Sequence, residues 1–359
     1  MHRRDRWMWI GLLVIGVALV QPCSGELRSP WDGYVVTPTD VPYQCPPAQK
    51  LSPNLVTNGF YGDSKGSIID PKKWRAYVAS AGPYKELGIQ IVKAADAWQG
   101  SGSREAAICA LHLMDAAAHQ GVFTGKMSSR QAYYVQGWVI GAIAIAYLKV
   151  RDSGFVTAHE RDEILPWIVE VVHQTTKFYE ETHQKNNHLY WAGVEAVAAG
   201  VADNNSALFR WGVAAYRVGI DQIRMDGVMP LEMRRGRRAL HYHLYALSPL
   251  VYIAEFGEDN GLPLYSERDH SLARLERLCV NGLYDNSFFV KAAHSPQDTP
   301  ERQLQAEQIS WGAIWETRFP NPKLAALLKK AVSLNYMYLG GLPPGAKRYR
   351  SAKMAQGGK

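Results

Sequence analysis

The chain has 359 residues, 47% apolar and 20% charged, and carries a net charge of +7. That length allows one large domain or two ordinary ones, and the composition excludes a disordered or low-complexity chain. A basic balance suits an anionic partner: an acidic polysaccharide, a membrane surface or nucleic acid.

Arg3, Arg4 and Arg6 precede an apolar run from Trp7 to Val20, and Ser24 and Gly25 follow. A basic start, a short apolar core and a small-residue exit predict a signal peptide over residues 1–25. The run is too short for a comfortable membrane span. Cys23 follows Val20-Gln21-Pro22, a poor context for lipidation. No later apolar run approaches spanning length, so the mature protein is expected in the periplasm, off the membrane and away from nucleic acid. Removing the three Arg and one Asp of residues 1–25 leaves +5 of the +7. Cys45, Cys109 and Cys279 remain after cleavage. An oxidising compartment permits one disulfide and leaves one thiol over. A Cys45–Cys109 pair would staple the N-terminal arm to an early helix, whereas Cys279 sits in an apolar helical pattern. Nothing has metal-ligand spacing, and no cofactor is expected.

Residues 26–57 are rich in proline and read as an extended arm. Residues 58–72 form a polar, glycine-punctuated loop with one aromatic pair, a candidate lid. Helical periodicity follows at about 84–98, 103–119, 128–151, 158–181, 188–202, 205–224, 239–257, 266–282, 300–317 and 322–334. Strand-like alternation is confined to Gly227-Val228-Met229-Pro230-Leu231. Helices joined by short turns predict an all-α chain of antiparallel hairpins, in a single domain over 58–340 with a basic tail at 341–359. Periodicity alone leaves toroid and bundle equally open.

Two segments carry chemistry. In Asn186-Asn187-His188-Leu189-Tyr190-Trp191, either Asn could be an ordinary N-cap. A helix N-terminus also presents free N–H groups to an anion, and a histidine there can act as a base. Arg234-Arg235-Gly236-Arg237-Arg238 reads either as a solvated basic loop or as two or three guanidiniums gripping carboxylates in bidentate fashion. Tyr242 and Tyr245 follow on one side of a helix, with His241 and His243 on different faces, which argues against a metal pair. A glycoside hydrolase needs two acidic side chains, and neither Glu195 nor Glu232 stands in a telling context. β-Elimination on a uronic-acid chain instead needs charge neutralisation, from Asn and Arg, and proton transfer, from His and Tyr.

In order and spacing, Asn186-Asn187-His188-x-Tyr190-Trp191 and Arg235-x-x-Arg238-Ala239-Leu240-x-Tyr242-His243-x-Tyr245 resemble the alginate lyases of polysaccharide lyase family 5. The resemblance covers most of the mature chain. It implies an incomplete (α/α) toroid with a lid over a tunnel-like cleft, and cleavage of poly-β-D-mannuronate by a monomer. Carried over by residue, Asn187 and Arg235 would neutralise the substrate carboxylate. Tyr242 would be the acid, and for mannuronate also the base, with His188 as base or charge stabiliser. Tyr61, Lys65, Trp138, Trp191, Arg238 and Tyr245 would bind the polymer. Leu189 and Leu244 depart from the residues common in that family, Ser and Asn. These departures keep polyglucuronate or hyaluronate in view as substrates. The remaining alternative is a non-catalytic polysaccharide-binding export factor.

Overall fold

A computed structural model describes residues 25–298 and 304–349. The expected signal peptide lies outside the described residues apart from Gly25, as does the basic tail beyond Tyr349. The helices run in chain order as α1 (Pro71–Ser101), α2 (Arg104–His119), α3 (Arg130–Val150), α4 (Ala158–Thr182), α5 (Asn187–Ala202) and α6 (Ser206–Ile220). The single turn α7 (Pro230–Met233), α8 (Ala239–Asp259), α9 (Glu267–Tyr284) and α10 (Ser287–Ala293) follow. The last are α11 (Ala306–Ile309), α12 (Gly312–Arg318) and α13 (Pro322–Lys330).

Two layers result. α1, α3, α5 and α8 pack side by side as an inner layer, and α2, α4, α6 and α9 lie outside them. Two of the inner helices are apolar almost all round: α3 buries every residue from Tyr134 to Val150, and α5 every one from Leu189 to Val201. A helix without a polar face must be enclosed by others, and this arrangement is an incomplete (α/α) toroid. α3 is long and apolar enough to cross a bilayer, contrary to the expectation that no later segment would be. Its burial within the toroid explains that composition. Hairpins close tightly where side chains vanish: a Cβ on Gly212 of α6 would sit 2.5 Å from the Gly193 carbonyl of α5.

α10 is absent from the periodic reading, α6 and α13 stop four residues short of it, and three further segments differ from it. α1 begins at Pro71, with Asp70 accepting the Lys72 and Lys73 amides as its N-cap. Pro83, inside this helix, lacks an N–H and interrupts the pattern the reading relied on. The expected helix over 300–317 is two short pieces in its described part, α11 and α12. Gly227–Met229 leads into α7, whose first residues are Pro230 and Leu231, and among the described residues only isolated β-bridges occur. The arm over residues 26–57 starts with a turn held by Asn204, Asn260 and Arg151. From Thr39 on it runs extended past α2, tied by the Cys45–Cys109 disulfide, and Cys279 is a buried free thiol.

Candidate active site

At one end of the inner layer a cavity of about 420 Å³ opens between α1, α3, α8, the loop over residues 58–70 and the stretch around Tyr336 and Tyr338. Tyr61, Trp138, His188, Arg235, Arg238, Tyr242 and Tyr245 all line it. Residues separated by as much as 184 positions, Tyr61 to Tyr245, therefore meet on one surface. The cleft continues past Arg238 and His241 into a neighbouring hollow of about 490 Å³ lined in part by Leu244.

The arginine pentad divides. Arg234 is exposed, and Arg237 pairs outward with Asp298 at 2.7 Å. Gly236, at φ +58, turns the chain between them, so Arg235 and Arg238 face the cleft. The Arg235 guanidinium lies 3.4 Å from the centroid of the Tyr242 ring and donates to the Gly66 carbonyl at 2.8 Å. Gly66 sits at φ +60, which L side chains rarely adopt, and a Cβ there would stand 2.6 Å from that guanidinium. Arg238 donates to the Tyr61 hydroxyl at 2.6 Å and to His241 Nε2 at 2.9 Å. The Tyr61 and Tyr242 hydroxyls are 2.6 Å apart. A guanidinium can only donate, so Tyr61 can pass its own proton to the Tyr242 oxygen and leave the Tyr242 O–H for a third group.

Burial sets the protonation states. It pushes the Tyr242 phenol upward, as does the adjacent Tyr61 phenol, against the two arginines, so Tyr242 is a neutral proton donor. His188 is drawn down to about 3 by burial and by the charges of Arg235 and Arg130. Its imidazole is therefore neutral at physiological pH, stacked on Tyr134 at 3.6 Å, with Nδ1 unpartnered. His241 is likewise held at about 3 by burial, Arg238 and Arg235. His243 is structural: Nδ1–H donates to the Ala239 carbonyl and Nε2 accepts the Met229 amide.

Three expected residues do not line the cavity. Asn187 is fully buried one layer behind it, donating Nδ2–H to Glu232 Oε2 at 2.7 Å. Trp191 also stands behind the wall, its ring 4.9 Å from that of Tyr245 and its indole N–H on the Tyr245 carbonyl. Lys65 is exposed on the loop, which turns Gly66 inward in its place. Sequence reasoning passed over Tyr134, which shares a helix face with Trp138, and Tyr336 and Tyr338, which complete the aromatic wall. It also missed Glu232, whose only signal is an acid just ahead of the arginines. A metal could sit between Asp115, His119 and His159, whose ligand atoms lie within 4.8 Å of one another. None of the three lines the cleft.

A two-layered α-toroid whose cleft pairs guanidiniums with phenols and a neutral imidazole has the groups to bind an anionic ligand and move protons on it. The family model described as Alginate lyase matches residues 56–289. A polysaccharide lyase of Stenotrophomonas maltophilia is 34% identical over 77% of this chain and 82% of its own length. An alginate lyase of Cobetia marina is 32% identical over 70% and 69% respectively. The crystal structure of alginate lyase A1-III from Sphingomonas species A1 superposes with a TM-score of 0.70 at 23% identity, over 89% of this chain and 90% of that one. The chain belongs to the alginate lyase family and is a polysaccharide lyase.

Proposed function

We propose that the chain cleaves poly-β-D-mannuronate, an alginate, at its 1,4-linkages by β-elimination, leaving a 4,5-unsaturated uronate at each new non-reducing end. The observation that carries this reading is the Arg238–Tyr61–Tyr242 chain of hydrogen bonds beside a stacked Arg235 and a neutral His188. Neutralising the substrate carboxylate acidifies the proton α to it, a task for Arg235 with Asn187 behind it. That C–H bond and the C–O bond to the leaving sugar break as the C=C bond forms. As a neutral phenol Tyr242 delivers its proton to the departing oxygen while another base takes the α proton. In a syn course Tyr242 acts instead from its phenolate, taking the α proton and passing that same proton to the departing oxygen, so the phenolate is restored. The Arg235 guanidinium on its ring favours the phenolate that this course requires. His188 serves as a second base or as a stabiliser of the enolate charge.

Trp138, Tyr245, Tyr61 and Arg238 would hold the neighbouring sugars, with Trp191 bracing the wall and Lys65 adding charge on the rim. The partner is thus an anionic polysaccharide, and no cofactor enters the scheme. The N-terminal segment supports a periplasmic location, and we take the working unit to be a monomer. A second reading, the same elimination on polyglucuronate or hyaluronate, is favoured by Leu189 and by Leu244, which lines the hollow next to the cleft.

Purified protein should generate ultraviolet-absorbing ends on polymannuronate, with kcat/KM above that on polyglucuronate and hyaluronate. No absorbance on any of the three ends the reading. Faster turnover of another polymer selects the second reading, and binding without product selects the export factor.

A further inference from the structure

We propose that Glu232 is a positioning residue for the elimination, docking the Asn187-His188 corner onto the Arg235 turn and fixing the direction of the Asn187 amide. The inference rests on the lyase reading above. Glu232 is 1% exposed, and its carboxylate accepts twice from one residue: Nδ2–H of Asn187 to Oε2 at 2.7 Å and the Asn187 backbone N–H to Oε1 at 3.2 Å. That backbone N–H is among the first of α5, so the carboxylate also caps a helix N-terminus, where negative charge is favoured. The Glu232 carbonyl meanwhile receives the Arg235 N–H at 3.1 Å. One residue therefore joins the segment bearing His188 to the segment bearing Arg235, 47 positions away.

The amide direction follows from donor and acceptor chemistry. Burial pushes the Glu232 carboxyl up to about 7, against the hydrogen bonds from Asn187 and the Arg235 charge. In its ionised form it only accepts, so Asn187 turns Nδ2 toward it. Nδ2 carries two hydrogens, and anchoring one on Glu232 fixes where the other points. Asn187 Oδ1 is left without a protein partner. A neutral amide at position 232 would offer donors as well as an acceptor, and Asn187 would be free to turn over.

The test compares Glu232→Gln, Asn187→Ala and the double variant with the wild type on polymannuronate, alongside melting temperatures. We expect Glu232→Gln to lower kcat roughly 10- to 100-fold, in the range of one misdirected charge-stabilising donor, with KM within about threefold of wild type. The double variant should be no slower than Asn187→Ala alone, because the two residues act as one unit. Should Glu232→Gln melt below the assay temperature, Glu232→Asp, which keeps the charge on a shorter arm, should show the same split. The inference is overturned if kcat per folded molecule stays within about twofold of wild type, whatever happens to stability, or if the two single losses multiply. A wild type inactive on polymannuronate would sink the mannuronate reading instead, so the two failures are distinguishable.

Discussion

The two ends of α3 meet two polar centres of opposite character. At the C-terminal end, the Lys149 ammonium is 3% exposed and spends its three N–H groups on Asp96, Gly340 and Leu342 oxygens at 2.6, 2.5 and 3.0 Å. Asp96 in turn accepts from Asn335 and from the Leu342 amide. Donors and acceptors match, and the network locks the chain after α13 against α1 and α3. At the N-terminal end, Tyr134 and Trp138 of the same helix border a cleft where His188 Nδ1, Arg235 Nε and, just behind, Asn187 Oδ1 have no protein partner. Buried polar atoms are ordinarily satisfied, and an exception at a cleft is explained by a ligand that supplies the missing half. Others, such as both Glu195 oxygens, lie away from the cleft. A saturated centre holds the fold; an unsaturated one is built for substrate.

Crossing the two ends by mutation should break this comparison if it is wrong. Tyr242→Phe should lower kcat/KM by about 10³-fold or more, within the range of a lost general acid, and leave the melting temperature nearly unchanged. Lys149→Met should do the reverse, costing about 3–5 kcal/mol by stranding the Asp96 carboxylate, while kcat per folded molecule stays near wild type. Assays paired with urea unfolding decide it. A Lys149→Met protein that is stable but inactive, or an active Tyr242→Phe protein, would dissolve the distinction.

A smaller effect sharpens the comparison through pH. The folded chain keeps His188 neutral down to about 3, whereas its ordinary value of 6.5 governs the unfolded chain. As pH falls from 6.5 toward 3 the unfolded state takes up a proton that the folded state refuses. The wild type should therefore lose stability relative to His188→Gln through that window, by at most about 1.4 kcal/mol per pH unit. Above pH 7 the two stability curves should run parallel. Urea unfolding at pH 5 and pH 7.5 checks this, and parallel curves across the whole range would mean that His188 is not held neutral.

Much of the scaffold was legible because inner and outer helices announce themselves by periodicity, and the cysteine left over after pairing lay in an apolar pattern. The cluster of Arg235, Arg238, Tyr242 and Tyr245 was legible because one turn and one helix face bring those residues together locally. Glu232 was not, since its meaning lies in a contact with a residue 45 positions away. Tyr336 and Tyr338 follow the last helix with no periodic context, and only the closing of the toroid sets them against Trp138 and Trp191. Lys65 and Gly66 are neighbours whose roles a loop sequence cannot separate. Backbone geometry turns the glycine inward and leaves the lysine outside.

The central claim is that the open end of α3 carries out an elimination and not a hydrolysis, and oxygen-labelled water tests it most directly. Polymannuronate digested in labelled water should give unsaturated products, one water lighter than hydrolysis products, with no label beyond the exchangeable oxygen of the reducing end. Saturated products carrying one labelled oxygen per cleavage would contradict the account.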